Sequence, residues 1–293
     1  MRALATVAAV ALFAGCGGGA TDDGNEGSET SSRDSGASAD ATPLVHVHGL
    51  ARVGDVLLIA THNGLYELER DADEPTIVGE IHHDLMGFTV SAPDRFLASG
   101  HPDLRGMRED GLPPHLGLIE SRDGGSTWQS VSLLGEADFH VLRAAGERVY
   151  GYDATHGRLL LSADGGRSWV EAQPPGPLFD LVVDPQDPDH LVASGERGLH
   201  RSRDGGHSWE RAGDTVGLLA WPEGGPLYLV APDGAVSMWS AAGPWQEGGD
   251  AGGEPAAFFA AGPRELYVAL HGGGIVQSLD GGESWTATIG ERG

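Results

Sequence analysis

Four copies of one octapeptide constrain the fold of this chain more than any other feature: SRDGGSTW from Ser121, SADGGRSW from Ser162, SRDGGHSW from Ser202 and SLDGGESW from Ser278. Their starts lie 41, 40 and 76 residues apart, the last interval being close to twice the others. A degenerate copy is expected in that gap, at APDGAVSMW from Ala231. In each copy the acidic residue (Asp123, Asp164, Asp204, Asp280) can accept hydrogen bonds from its own turn, and the Gly-Gly pair permits positive φ. The tryptophans that close the copies, Trp128, Trp169, Trp209 and Trp285, are large enough to plug the space between neighbouring sheets. A period of about 40 residues made of short β-runs and Gly-rich turns indicates an all-β chain, a β-propeller with four strands per blade.

Counting units from the repeat gives six blades, at roughly 44–80, 81–132, 137–173, 177–213, 215–249 and 254–289. Most open with an apolar run suited to an innermost strand, as in GFTVSA, FHVLRAA, FDLVVD and AAFFAA. A second run follows a turn, as in VLLIATHNG, RFLASGHPD and RVYGYDATHG, and the octapeptide closes the outer hairpin. The second unit also carries an insertion, PDLRGMREDGLPPH, over residues 102–115, long enough to lie over one face.

The chain opens with MRALATVAAVALFAGC, in which an apolar run from Ala3 to Ala14 leads to Gly15 and Cys16. That run is short for a membrane span, which needs about 20 apolar residues, and suits a secretory signal. Cys16 is the sole cysteine of the sequence, so no intrachain disulfide can form. Its setting resembles the lipobox of bacterial lipoproteins, which implies residues 1–16 as a lipoprotein signal peptide and Cys16 as the lipidated residue. Residues 17–42 contain no aliphatic larger than alanine and no aromatic, so they cannot offset their ordering entropy and read as a disordered tether. Residues 43–293 then form a single domain, held by a lipid anchor on the outer side of the cytoplasmic membrane. The formal net charge of −25 excludes nucleic acid as a natural partner, because such a surface repels phosphate.

The octapeptides match the Asp-box (BNR) motif, and with HVHGL, ATHNGLY, MGFT and SGHP the chain resembles sialidase-like bacterial lipoproteins named as glycosyl hydrolases. It is also similar to propellers that assist photosystem assembly and have no hydrolytic role. The first resemblance implies a glycoside hydrolase, but sialidases hold the sugar carboxylate with three arginines. No such triad can be matched here: Arg197 stands alone at a second-to-third strand corner, and Arg52 and Arg143 fall towards the far ends of their strands. Whether the chain is an enzyme at all therefore stays open. Asp84, Asp153 and Glu196 are the weak catalytic candidates, an atypical carboxylate pair being the form a hydrolase would take.

Propeller topology brings the starts of first strands and the ends of second strands together around the central channel. This places His46, His48, His83, Asp84, Asp138, His140 and Asp180 at first-strand starts, and His62, His101, Asp153, Glu196, Asp233 and His271 at the second-to-third strand corners. The octapeptides lie at the opposite face. Asp-Gly is an ordinary hairpin turn, so Asp233 needs no ligand to explain it. Histidine has no such preference, and neutral imidazoles beside carboxylates suit a transition metal such as zinc or copper. The expected metal ligands are drawn from His46, His48, His62, His83, His101, His140 and His271. His115, His156, His190, His200 and His207 lie in the insertion, turns or outer strands, where a solvated or hydrogen-bonded role is expected.

Three functions follow as expectations: a surface-tethered propeller that binds a metal ion or small ligand at its histidine-rich face, an atypical hydrolase acting on a glycan, or a scaffold for protein assembly.

Overall fold

A computed structural model describes Leu44, residues 46–240 and residues 244–289. The signal segment, Cys16 and the tether lie outside the described residues.

Residues 47–289 form six four-stranded antiparallel sheets, each from four consecutive strands paired in sequence order, arranged as a six-bladed β-propeller. The sheets begin at Val47, Asp84, Phe139, Leu178, Leu218 and Pro255, matching the six units read from the repeat. The first strands (Val47–Val53, Asp84–Ala92, Phe139–Ala145, Leu178–Asp184, Leu218–Ala220 and Pro255–Ala260) touch one another in a closed ring, so they are the innermost strands. Continuous buried runs such as Leu57, Leu58, Ile59 and Ala60 mark the second strands, which are covered on both faces by neighbouring blades.

The core lies between blades. Tyr150, Leu159 and Leu161 of the third blade pack against Leu181, Leu191 and Ala193 of the fourth, with Trp209 laid against the cluster. Trp128, Trp169 and Trp285 fill equivalent positions at other seams. Truncating a fully buried leucine in such a seam, Leu191 for instance, costs about 2–5 kcal/mol.

Each octapeptide is a closed hydrogen-bonded turn. In the fourth blade the buried Ser202 Oγ accepts the Gly206 N–H at 2.8 Å and donates to Asp204 Oδ1 at 2.8 Å, while Asp204 Oδ1 accepts the Ser208 N–H at 2.8 Å. The same bonds recur around Asp123, Asp164 and Asp280. Such bonding holds the carboxyls below the usual range: the bonds from Ser168 and Ser208 lower Asp164 and Asp204 to about 2. The second glycine is required twice over. At Gly125 (φ +93°) and Gly166 (φ +87°) the backbone is left-handed, and a Cβ would stand 2.4 Å from Leu65 Cδ2 or 2.1 Å from Leu118 Cδ2 of the preceding blade.

One expectation is corrected. The stretch from Ala231 is not a degenerate octapeptide; Ala231 to Gly234 form the corner between the second and third strands of the fifth blade, where the Gly234 N–H donates to Ala231 O at 2.9 Å. The hairpin that corresponds to the octapeptides joins Ala235–Trp239 to Gln246–Asp250, and Trp245 takes the plugging position against its seam.

The insertion carries a short helix, Leu104–Arg108, in the second blade. Asp103 caps it through Oδ1, which accepts the Gly106 N–H at 2.7 Å, and its Oδ2 accepts the His82 N–H at 3.0 Å. His83 is buried, and its Nδ1 accepts the Asp103 N–H at 3.2 Å. The insertion is thus moored beside the rim of the ring, and the Leu116 N–H bonds Gly100 O at 2.9 Å as the chain re-enters the sheet.

Candidate metal centre

Second strands return to the face from which first strands start, and this brings ends of the first three blades together. Gly49 pairs with Ala60 and Val47 with Thr61, which sets His48 beside the corner that carries His62. Asp84 pairs with His101 at the same rim of the second blade, and Asp138 and His140 flank the start of the third.

Among the described residues two groups offer three metal-ligating atoms within 4.8 Å of one another: His48, His62 and Asp84, and His101, His115 and Asp138. Asp84 is the hub of the first. His62 Nδ1 stands 2.8 Å from its Oδ2, and His48 Nε2 stands 3.4 Å from its Oδ1. Asp138, almost fully buried, is the hub of the second, with His140 Nε2 at 3.0 Å and His115 Nδ1 at 3.9 Å from its Oδ2. His101 joins the two: its Nδ1 is 3.5 Å from Asp84 Oδ2 and its Nε2 is 3.5 Å from Asp138 Oδ2.

Burial opposes ionisation of Asp84, but the His48 ring close by, with His62 and His101, outweighs it and holds the carboxyl below its ordinary value. Burial likewise opposes ionisation of Asp138, and His140, His101 and His115 carry it below as well. Both carboxylates are therefore anionic at neutral pH, the form a metal ion needs. His48 Nε2 and Asp84 Oδ1 are buried and face each other at 3.4 Å with no other partner, and His115 Nδ1 and Asp138 Oδ1 are buried without a hydrogen bond among the described residues. Leaving a buried polar atom unpaired costs about 1–3 kcal/mol, so an ion that engages these atoms would be stabilised at this rim.

The structure separates the expected ligands. His48, His62 and His101 belong to the two groups and His140 contacts Asp138 directly. His46 stands exposed just before the first strand, with φ +51° and its ring edge-on to His62 at 6.1 Å between centroids, and joins neither group. His83 instead turns to the insertion, because the Asp103 N–H has captured its Nδ1. His271 is exposed in the sixth blade, where its N–H bonds Glu254 O at 3.0 Å, and is no member of the cluster.

For His115, where a solvated or hydrogen-bonded role is expected, the moored insertion instead carries the ring over the rim, 5.6 Å from that of His101. The signal available in the sequence was that the insertion follows directly on the rim residue His101.

The carboxylate candidates divide in the same way. Asp153 is fully buried, and its Oδ2 is held by Arg158 Nε at 2.8 Å and His156 Nδ1 at 2.9 Å. Burial opposes its ionisation, yet those two partners keep it below the ordinary range, the opposite of what a hydrolase acid requires. Glu196 is exposed and joins neither group. Asp180 is buried and spent on Arg143 Nη2 at 2.6 Å and on the N–H groups of Leu181 and Leu219. Asp233, at its hairpin, accepts the Ala235 N–H at 3.2 Å.

Beside the cluster opens the central channel, a cavity of about 710 Å³ shared by all six first strands. His48 and His140 line both the cluster and the channel, which continues past Arg143, Phe179, Trp221 and Phe258. A small ligand in the channel would meet the histidine rim from one side.

No protein-family model matches the sequence, and a search of curated proteins finds no relative. Among solved structures, the GH74 enzyme of Niastella koreensis matches with a TM-score of 0.59 at 14% identity, over 84% of this chain and 45% of its own. The GH74 xyloglucanase of Xanthomonas campestris matches at 0.55 and 18% identity, over 84% and 45%. YCF48 bound to D1 peptide matches at 0.51 and 16% identity, over 84% and 82%. The chain shares a β-propeller fold with these proteins. At these identities the likeness is one of fold, and the chain spans less than half the length of the GH74 enzymes it matches.

Proposed function

We propose that this protein is an extracytoplasmic, lipid-anchored Asp-box propeller that binds a transition metal ion at the histidine-rich rim of its first three blades. The observation that carries the reading is the pair of His/Asp groups at one rim, each offering three ligating atoms within 4.8 Å of one another. Imidazole nitrogens with a carboxylate suit zinc or copper, and the groups supply that donor set. The lipobox-like run to Cys16 and the tether behind it support attachment to the outer side of the cytoplasmic membrane.

The hydrolase reading has the GH74 likeness in its favour, but the carboxylates at the rim serve it poorly. Asp84 and Asp153 are both held below their ordinary values, and neither provides a protonated acid at neutral pH. The scaffold reading draws only on the likeness to YCF48, and we do not adopt it.

The test is elemental analysis of the purified protein together with titration by Zn²⁺ and Cu²⁺, beside the double variant His48→Ala, His62→Ala. Stoichiometric binding that weakens strongly in a folded variant is the expected result. An apo protein that takes up neither ion above background, with its circular dichroism intact, would sink the reading.

A further inference from the structure

The two His/Asp groups share His101, and this juxtaposition goes beyond a single metal site. We infer that the rim is a dinuclear centre in which the imidazole ring of His101 bridges two transition-metal ions, Nδ1 on the ion held by His48, His62 and Asp84, and Nε2 on the ion held by His115, Asp138 and His140. The inference rests on the metal-binding reading above and deepens it.

Three observations carry it. The first is spacing. Two donors bound to one ion at about 2.0–2.2 Å in tetrahedral geometry lie roughly 3.3–3.6 Å apart, whereas a hydrogen bond from a ring nitrogen to a carboxylate is shorter, about 2.7–2.9 Å. His101 stands 3.5 Å from a carboxylate oxygen at each of its nitrogens, and His48 stands 3.4 Å from Asp84 Oδ1. These separations suit ligands of a common ion, while His62 and His140, now hydrogen-bonded to their carboxylates at 2.8 and 3.0 Å, would move apart from them by about half an ångström to share it.

The second is symmetry of demand. A neutral imidazole has one N–H and one lone pair, so it can satisfy a carboxylate at one nitrogen only. His101 faces an anionic oxygen at both. An ion inserted on each side replaces one N–H contact and one repulsion between lone pairs with two coordinate bonds. As the second ion binds, the remaining ring proton of His101 passes to solvent, and the imidazolate places one nitrogen lone pair on each ion. No electron is transferred in this step.

The third is the distribution of orphaned atoms. His48 Nε2 and Asp84 Oδ1 fall on one side of His101, and His115 Nδ1 and Asp138 Oδ1 on the other. A single ion on either side leaves the histidine nitrogen of the other group unpaired. Two ions engage both His48 Nε2 and His115 Nδ1.

The bridge has a spectroscopic signature, because two Cu²⁺ ions joined through an imidazolate couple their unpaired electrons. The experiment is titration of the full-length protein with Cu²⁺, reading copper per chain by elemental analysis and spin intensity by low-temperature electron paramagnetic resonance. The expected result is two copper ions per chain with loss of most of the spin signal. In His115→Ala, which removes a ligand of the second ion alone, one tightly held copper with full intensity is expected. In His101→Ala, whatever copper remains bound should also show full intensity.

Two coppers with the intensity of two free spins in the unmodified protein would overturn the bridge. One copper per chain would overturn the dinuclear centre and leave the metal-binding reading standing. No copper at all, with zinc equally unbound, would overturn both.

Discussion

Replacing Ser202 by alanine should damage the fourth blade more than replacing Asp204 by asparagine, although the acidic residue is the more conspicuous letter of the repeat. Ser202 is buried, and its Oγ accepts the Gly206 N–H at 2.8 Å. That N–H lies at a seam where a Cβ on Gly206 would stand 3.2 Å from Leu191 Cδ1 and 3.3 Å from Leu161 Cδ2, so water has no room to replace the hydroxyl. A buried N–H left without an acceptor costs about 1–3 kcal/mol. In a domain of this size each kcal/mol lowers Tm by roughly 2–4 °C.

Asp204, by contrast, is solvent-accessible, and asparagine keeps an oxygen for the Ser208 N–H now bonded at 2.8 Å. Its loss of charge is screened by water. Urea unfolding of the two variants and the parent protein measures the difference, as a shift of midpoint at unchanged slope. A Ser202→Ala midpoint equal to that of the parent, or one less shifted than Asp204→Asn, would refute the argument that the hydroxyl holds the turn together.

Other outcomes follow from the same geometry. Gly100→Ala should destabilise by several kcal/mol, on the order of a strained φ plus a backbone clash, since φ is +141° and a Cβ would stand 2.0 Å from Asp84 O; thermal melting reads it. Asp103→Ala should loosen the insertion at a cost of about 1 kcal/mol for the lost helix cap, and hydrogen exchange over residues 102–115 should rise while metal affinity falls through His115. Stability should also fall slightly on acidification below about pH 4: the Asp164 and Asp204 carboxyls sit at about 2 in the fold, against about 3.9 unfolded, so their contribution, made small by solvent screening at these exposed positions, is present above the unfolded value and is lost as pH drops through the folded one. At the other extreme Tyr267, pushed up to about 12 by burial and by its bond to Glu265, contributes below about pH 10 and loses that contribution as pH rises towards 12; absorbance at the tyrosinate band checks it.

The blade boundaries were legible because the octapeptide fixes one hairpin per unit and leaves little freedom between copies. The fifth blade shows where that logic stops. Asp-Gly is both a letter of the octapeptide and a common corner, and at Asp233 it is the corner. The spacing itself was the better guide, since half of 76 residues beyond Ser202 is Ser240, at the hairpin that lacks the acid.

The rim was legible only in part. Strand direction places His48, His62, Asp84, His101 and His140 at one end of three blades without any knowledge of side-chain rotation. What topology cannot supply is the competition for each side chain. His83 neighbours Asp84 in sequence but is taken by the Asp103 N–H, and Asp153 is taken by Arg158 and His156. His115 reaches the rim through the mooring of an insertion, which depends on contacts that no repeat encodes.

Among the described residues every sheet of the ring is made from four consecutive strands, and none of these strands crosses from the last blade to complete the first. The join between Val47, Leu50 and Ile59 on one side and Ala257, Tyr267 and Ala269 on the other is therefore made by side-chain packing, as at the other seams, with Arg52 paired to Glu265 across it. Whole blades are consequently the natural units of genetic exchange here. A chain cyclically permuted between Ala172 and Leu178 would preserve every ladder and keep the three histidine-bearing blades adjacent in sequence, whereas one opened between Ser132 and Phe139 would preserve the ladders equally well yet encode the two halves of the rim at opposite ends of the gene.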